Sequence, residues 1–377
     1  MYPYSYQRQQ LPRTGRKYFF LFIVLLFILC LSGVLLYRYI HFEQQKKVLE
    51  HTVPIPIPPK DPWIPYGDGF VHARNDSVVF LNHEGEKAGE VQTKVKDGKL
   101  AVSRQYSVHY NDQSFAVLTW NKLLYRKQID SGTILGVQAG TRPVAVLIKD
   151  EKSSDLSLTV YDRKGNPIDE IVYREVTMVD FGFHEKDDQL WTITLDTNGI
   201  APSSQLATYK PGISMTGVIT VNDQIIYQVI FTPERIIAVG TNSILCYNYS
   251  GECTYEKSIY GWVLQDIRPV EGDSVLMLLS PSSGKASPNK AEKVSTLRLL
   301  DLENVDKILP LPGDAVKIIA REKDFISIQE RAIHLMAYDG KTKKEIRLPF
   351  VINQAFPIVD KKGLLLIQDT KIYYLPL

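Results

Sequence analysis

The chain has 377 residues with 23 Gly, 21 Pro and 10% aromatics, which is the composition of a folded protein with a large core. Its 44 basic side chains stand against 42 acidic ones, a formal net charge of +2, so no general field attracts nucleic acid and no nucleic-acid partner is expected. Three cysteines are too few for a disulfide scaffold.

Residues 1–17 are polar and rich in Tyr and Gln, and they read as a short cytoplasmic tail. The stretch YFFLFIVLLFILCLSGVLLY, Tyr18 to Tyr37, holds 20 residues without a charge. At ~1.5 Å per residue it spans the ~30 Å hydrocarbon core of a bilayer. Tyr18, Tyr37 and Tyr39 fall where interfacial aromatics belong. A cleaved signal peptide would have a shorter apolar region ending in an A-x-A-like site, and none is present; the residue before Cys30 is Leu29, which suits lipid attachment poorly. Arg8, Arg13, Arg16, Lys17 and the amino terminus precede the span, whereas Arg38, Lys46 and Lys47 follow it, so the N-terminus is expected in the cytoplasm and the rest outside.

Residues 38–66 are expected to continue the helix for about three turns and then to form an extended strut. VPIPIPPKDPWIP, Val53 to Pro65, carries six prolines in 13 residues, which fix φ and remove N–H donors. Such a strut reaches ~40 Å at ~3.1 Å per residue, and part of it is also suited to serve as an edge strand.

From residue 67 to 377 the pattern is short β-branched or alternating runs broken by turns, without a 3.6-residue apolar stripe. One phrase recurs: a Gly or Asp turn, an apolar strand, a short polar turn, a second apolar strand, another turn and a charged strand. Copies begin at Gly69, Ser114, Val144, Gln189, Arg235, Ser274, Asp324 and Gly363. A period near 40 residues predicts an all-β propeller, with eight blades favoured and seven possible. A pair of β-sandwiches is the rival. The last copy stops after two strands, so a strand from the N-terminal side, in Val53 to Pro59 or just before Gly69, is expected to close the ring.

The phrases LTVYDRKGNPIDEI (Leu158 to Ile171) and LCYNYSGECTYEKSI (Leu245 to Ile259) resemble the strand-turn-strand units of WD40-like and quinoprotein-like propellers. With its basic tail, single span, linker and GDGFVHARNDSVVFLNHEGE opening (Gly67 to Glu86), the layout resembles a family of membrane-anchored bacterial propellers with no assigned function. The Trp-Asp dipeptide of WD40 repeats and the Gly-rich docking motif of quinoproteins are both missing. The resemblance therefore bears on fold and not on chemistry.

No catalytic constellation stands out. The seven histidines, His41, His51, His72, His83, His109, His184 and His334, show no H-x-x-x-H or H-E-x-x-H spacing. His72 and His334 are placed on inner strands, where a ring could reach the channel. No G-x-S-x-G elbow, Walker loop or dinucleotide fingerprint is present. Asp196-Thr197-Asn198-Gly199 resembles the start of a calcium loop, but Gln205 stands where a bidentate acid would be needed, so an Asx-type turn is favoured. Catalytic, cofactor-binding and metal residues are accordingly assigned to none, and no cofactor is expected. The one covalent candidate is a disulfide between Cys246 and Cys253, which face each other if Tyr247 and Glu252 close a hairpin around residues 248–251. Trp63, Trp120, Trp191 and Trp262 are read as core or blade-interface packing.

Taken together these features predict a membrane-anchored extracytoplasmic scaffold, held in the bilayer through Tyr18 to Tyr37, whose partner is another envelope protein or a glycan. The insertion Ser280 to Lys293 is one candidate contact. The alternative is an extracytoplasmic propeller enzyme of lyase, glycosidase or dehydrogenase type, which requires carboxylates converging at the channel mouth.

Overall fold

The computed structural model describes residues 13–51, 53–55, 62–67, 69–82, 84–184, 186, 188–269, 275–282, 293–358, 363–369 and 371–377. The chain divides into two units, Met1–His51 and Thr52–Leu377.

The first unit contains one helix, Arg13–His51, of 39 residues. Within it Phe19–Ile40 has a mean hydropathy of 3.1 and no residue buried by the rest of the chain. Its 22 residues are long and apolar enough to cross a membrane, at about 33 Å. The Ser32 hydroxyl donates to the Leu29 carbonyl at 2.9 Å, so the polar group in the span is satisfied within the helix. The helix runs on to His51, as the wet turns 38–51 were expected to do, and it starts at Arg13, so residues 13–17 are helical. The remainder of the tail lies outside the described residues.

The second unit is antiparallel β throughout its described residues. The first sheet comprises Trp63–Tyr66, Gly69–Arg74, Ser77–Leu81 and Lys87–Gln92; the second, Lys99–Val102, Ser107–Tyr110, Ser114–Thr119 and Lys122–Gln128. The third holds Thr133–Ala139, Val144–Lys149, Leu156–Tyr161 and Pro167–Tyr173; the fourth, Thr177–Phe183, Leu190–Asp196, Ser203–Lys210 and Ser214–Asn222; the fifth, Ile226–Phe231, Arg235–Gly240, Ser243–Asn248 and Cys253–Ser258. A seven-stranded sheet runs from Trp262–Pro269 through Val275–Pro281, Val294–Leu300, Asp306–Ala320, Phe325–Gln329 and Ala332–Met336 to Thr342–Arg347. Its 15-residue strand Asp306–Ala320 serves two meanders, pairing backward mainly through residues 306–310 and forward through residues 315–320.

The last sheet has Gln354–Pro357, Gly363–Gln368 and Lys371–Pro376, and its fourth strand is Val53–Ile55 from the other end of the domain. Val53 lies opposite Tyr374, Pro54 opposite Tyr373 and Ile55 opposite Ile372. The closing strand expected from the proline-rich segment is therefore formed. The described parts of the expected strut are strands of the domain: Val53–Ile55 is the outermost strand of the last sheet and Trp63–Tyr66 the innermost of the first, while residues 56–61 lie outside the described residues.

Middle strands are mostly covered on both faces and rich in apolar residues; Ser77–Leu81 is buried at every residue. Outermost strands alternate and stay wet, as in Lys87–Gln92. Because neither face of a sheet can remain bare, apolar clusters fill the spaces between neighbours. Tyr106, Phe115 and Val146 join the second and third sheets, and Ile193, Leu206 and Ile236 the fourth and fifth. Phe70 and Leu81 of the first sheet pack on Leu365 and Ile372 of the last, which closes the ring. This is an all-β propeller preceded by one apolar helix.

Seven of the eight sequence phrases begin at the second strand of a four-stranded unit. The exception, Ser114, begins at a third strand, because the short Ser107–Tyr110 was not recognised.

Removing the closing strand exposes the backbone edge of Lys371–Pro376. A chain starting at residue 58 is expected to unfold about 5 °C below one starting at Thr52, given roughly 1 kcal/mol for each lost hydrogen bond. Thermal unfolding followed by circular dichroism measures the difference.

Candidate binding surfaces

In every four-stranded unit the turn between the first and second strands and the turn between the third and fourth lie at the same end. Among the described residues three hollows at this end border the fourth sheet.

The largest, about 400 Å³, lies between the turns of the third and fourth sheets. One wall is the turn after Leu156–Tyr161, where Asp162 Oδ1 accepts the N–H groups of Lys164 and Asn166, both at 2.8 Å, and Gly165 supplies φ +85°. Desolvation raises the Asp162 pKa, but the Asn166 side-chain amide at 3.0 Å and these backbone bonds outweigh it and hold the carboxyl below the usual range. Arg163 and Lys164 are displayed at the tip. The opposite wall is the turn after Ser203–Lys210, where Gly212, with φ +73°, donates its N–H to Asp169 Oδ2 at 3.0 Å. Asp188 fixes the inner corner, accepting from Thr141 N at 2.5 Å and Arg142 Nε at 3.2 Å. The result is an apolar floor of Pro143, Ile168, Pro211 and Ile213 with Arg142, Arg163, Lys164 and Lys210 around it.

A second hollow, about 240 Å³, opens where the innermost strands of the second, third and fourth sheets end, and it marks the channel mouth. Asp180 is the only carboxylate among its lining residues, and burial raises its pKa, opposed by its bond to Phe181 N at 2.8 Å. Arg104, Trp191 and Gly182 stand beside it. A Cβ on Gly182 would come within 2.7 Å of the Trp191 ring, so glycine is needed there for close packing. The third hollow, about 160 Å³, flanks the outermost strand of the fourth sheet at Thr216, Val218 and Tyr249.

The histidines do not gather. His72 and His109 lie on second strands and His334 on a third, so none reaches the channel wall as expected for His72 and His334. His109 is fully buried. Its Nδ1 lies 2.8 Å from Thr93 Oγ1, and Thr93 in turn donates to the Asp76 carbonyl at 2.8 Å. The hydroxyl therefore accepts from His109 Nδ1–H, which leaves Nε2 unprotonated. Burial pushes this imidazole down to about 4, against a small opposing effect of Asp76. His184 packs its ring on Phe231 at 5.1 Å. His83 lies outside the described residues. Asp196 Oδ1 accepts Asn198 N at 2.8 Å, forming the Asx turn. Among the described residues no group of three or more His, Cys, Asp or Glu side chains is placed to hold a metal ion.

The tryptophans pack as read from the sequence. Trp63 meets Phe356 edge-on at 5.3 Å where the first and last sheets join, Trp120 stacks on Tyr66 at 5.8 Å, and Arg298 lies over Trp262 at 5.7 Å.

The disulfide expected between Cys246 and Cys253 is corrected by the register. Cys246 lies opposite Tyr255 and Cys253 opposite Tyr247, with a bulge between. Asn248 and Glu252 close the hairpin one residue later than expected, with Gly251 at φ +86°. Neighbouring residues on a strand face opposite ways, so one thiol is buried, the other is exposed, and both are free.

Residues 57–377 match the family described as Family of unknown function (DUF5711). The chain belongs to the DUF5711 family. No curated protein matches it. Among solved structures, BamB from Moraxella catarrhalis superposes with a TM-score of 0.54 at 8% identity, covering 86% of this chain and 98% of that one. The WD40 domain of SCAP from fission yeast gives 0.53 at 9% identity, covering 86% and 97%. These likenesses establish the propeller fold of the DUF5711 chain and nothing about its chemistry. The helix Arg13–His51 lies outside the family match.

Two outcomes follow for the DUF5711 domain. His109 titrates near 4 folded and near 6.5 unfolded, so the unfolded chain takes the proton first. Its contribution is fully present above pH 6.5 and is lost, up to about 3 kcal/mol, as pH falls toward 4. In His109→Asn, thermal unfolding across this window is expected to depend less on pH. A thiol reagent is expected to label Cys253 in the folded domain and Cys246 only after denaturation, as mass spectrometry of the modified peptides will read.

Proposed function

We propose that this chain is a single-pass membrane protein whose propeller lies outside the cytoplasm and works as a binding scaffold for another envelope protein. In this reading residues 1–17 face the cytoplasm, the span centres on residues 18–37, and the ring has eight blades, with Asp306–Ala320 shared between the sixth and seventh. The basic residues ahead of the span support the orientation.

The observation that carries the binding role is the open surface beside the fourth sheet. The fourth sheet borders all three described hollows, and Ile213, Met215 and Val218 at its rim are exposed by 68%, 55% and 41%. A rigid closed ring presents such a surface without the entropic loss of ordering loops on binding. The enzyme alternative would rest on Asp180 in the channel-mouth hollow. A single carboxylate beside Arg104 does not supply the pair that glycoside hydrolysis uses.

A photo-reactive residue placed at Ile213 in cells is expected to yield adducts of discrete mass, and one at Tyr260, exposed at the opposite end of the sheets, none. A reporter enzyme active only in an oxidising compartment, fused after Leu377, is expected to be active. Equal labelling at the two positions, or an inactive reporter, refutes the scaffold or the topology respectively.

A further inference from the structure

The outermost strands of a propeller are edge strands, and each turns one row of N–H and C=O groups to solvent. Seven of the eight units protect that edge. Lys87–Gln92, Lys122–Gln128, Cys253–Ser258 and Thr342–Arg347 each carry charges, Pro167–Tyr173 carries a proline and two acids, residues 306–310 carry Asp306, Lys307 and Pro310, and Val53–Ile55 is three residues long with a central proline. The fourth sheet departs from this rule. Its outermost strand Ser214–Asn222, SMTGVITVN, has nine residues with neither charge nor proline, and seven of them are exposed.

We infer that Ser214–Asn222 is a strand-addition site, at which an extended segment of the partner pairs as a fifth strand of the fourth sheet and places an acidic residue in the cationic hollow at the strand's start. This rests on the scaffold reading and names the chemistry of its partner. Every second residue of a nine-residue edge turns its backbone groups outward, which offers about four pairs of hydrogen bonds without regard to side chains. Side chains then select. Met215 and Val218 favour an uncharged, β-branched run, and Thr216 lies in the smaller hollow beside it.

The strand begins directly after Ile213, which lines the 400 Å³ hollow. Asp162 and Asp188 there are already engaged by their own turns and by Arg142. Among the described residues Arg163, Lys164 and Lys210 enter no salt bridge, although Lys164 acts on Asp162 electrostatically, so a carboxylate arriving along the strand meets an excess of positive charge over an apolar floor.

A second copy of this chain fits the edge less well. Beyond Asn222 the chain is tied back, with Asp223 N donating to the Pro202 carbonyl at 3.0 Å and Gln224 buried and bonded to Ser243 at 2.8 Å. Its backbone cannot run on into the opposing hollow, whereas a free-running segment can.

The test uses the full chain in detergent micelles and a synthetic peptide of nine alternating threonines and valines closed by two glutamates, with a twin closed by two lysines. The glutamate peptide is expected to bind saturably, to slow amide exchange within residues 214–222, and to bind at least about tenfold more tightly than its twin. Val218→Lys, a charge on the edge, is expected to weaken both peptides. Lys210→Glu leaves the strand untouched and is expected to abolish the preference for glutamate. Absence of binding, protection elsewhere, equal affinity for the two peptides, or a dimer of the full chain that Val218→Lys dissociates would each overturn strand addition by an acidic partner segment. Adducts at Ile213 in cells together with any of these results would leave the scaffold standing and remove only this mode of recognition.

Discussion

Everything in the domain depends on the burial of both faces of each sheet, which a single four-stranded meander cannot achieve alone. A neighbour covers one face and leaves its own far face bare, so the requirement passes around until Phe70 and Leu81 of the first sheet meet Leu365 and Ile372 of the last. The three-residue strand Val53–Ile55 completes that last sheet. Covering apolar surface at ~25 cal/mol per Å² rewards closure, and partial rings pay for open faces.

The same constraint explains where this protein can interact. Residues between sheets are committed to packing, and those on middle strands are largely buried. Freedom remains at the turns and on the outermost strands. Most of that freedom is spent on charges, prolines and Asx turns that keep the rim soluble and single. Among the described residues the outermost strand of the fourth sheet is left without charge or proline, and a hollow opens beside it between the turns of the third and fourth sheets.

Electrostatics follow burial. His109, enclosed with Thr93, loses its basicity, and Asp180 is pushed toward protonation in its hollow. At the exposed rim Asp306 bonds to Arg298 at 2.8 and 2.9 Å and to Lys257 at 2.9 Å, which holds its carboxyl well below the usual range. The first two report desolvation, and the last reports close partners.

The sequence by itself determined the apolar helix, the all-β class and the repeat, because each is written in local pattern: an uncharged run, alternation broken by Gly and Asp turns, and a period near 40 residues. It also placed the closing strand in one of two N-terminal stretches, Val53 to Pro59 or the residues just before Gly69, since the last copy lacked a strand; the register with Lys371–Pro376 decided for Val53–Ile55. Innermost strands were hard to see. In five units they carry a bulge, as between Met178 and Asp180 or Leu264 and Asp266, and an extra residue destroys the alternation that identifies a strand. Register was likewise beyond reach: one extra residue in the hairpin around Gly251 turned Cys246 and Cys253 to opposite faces. The hollow beside the fourth sheet was invisible in the chain, because Arg142, Arg163 and Lys210 come from three turns that only the packing of neighbouring sheets brings together.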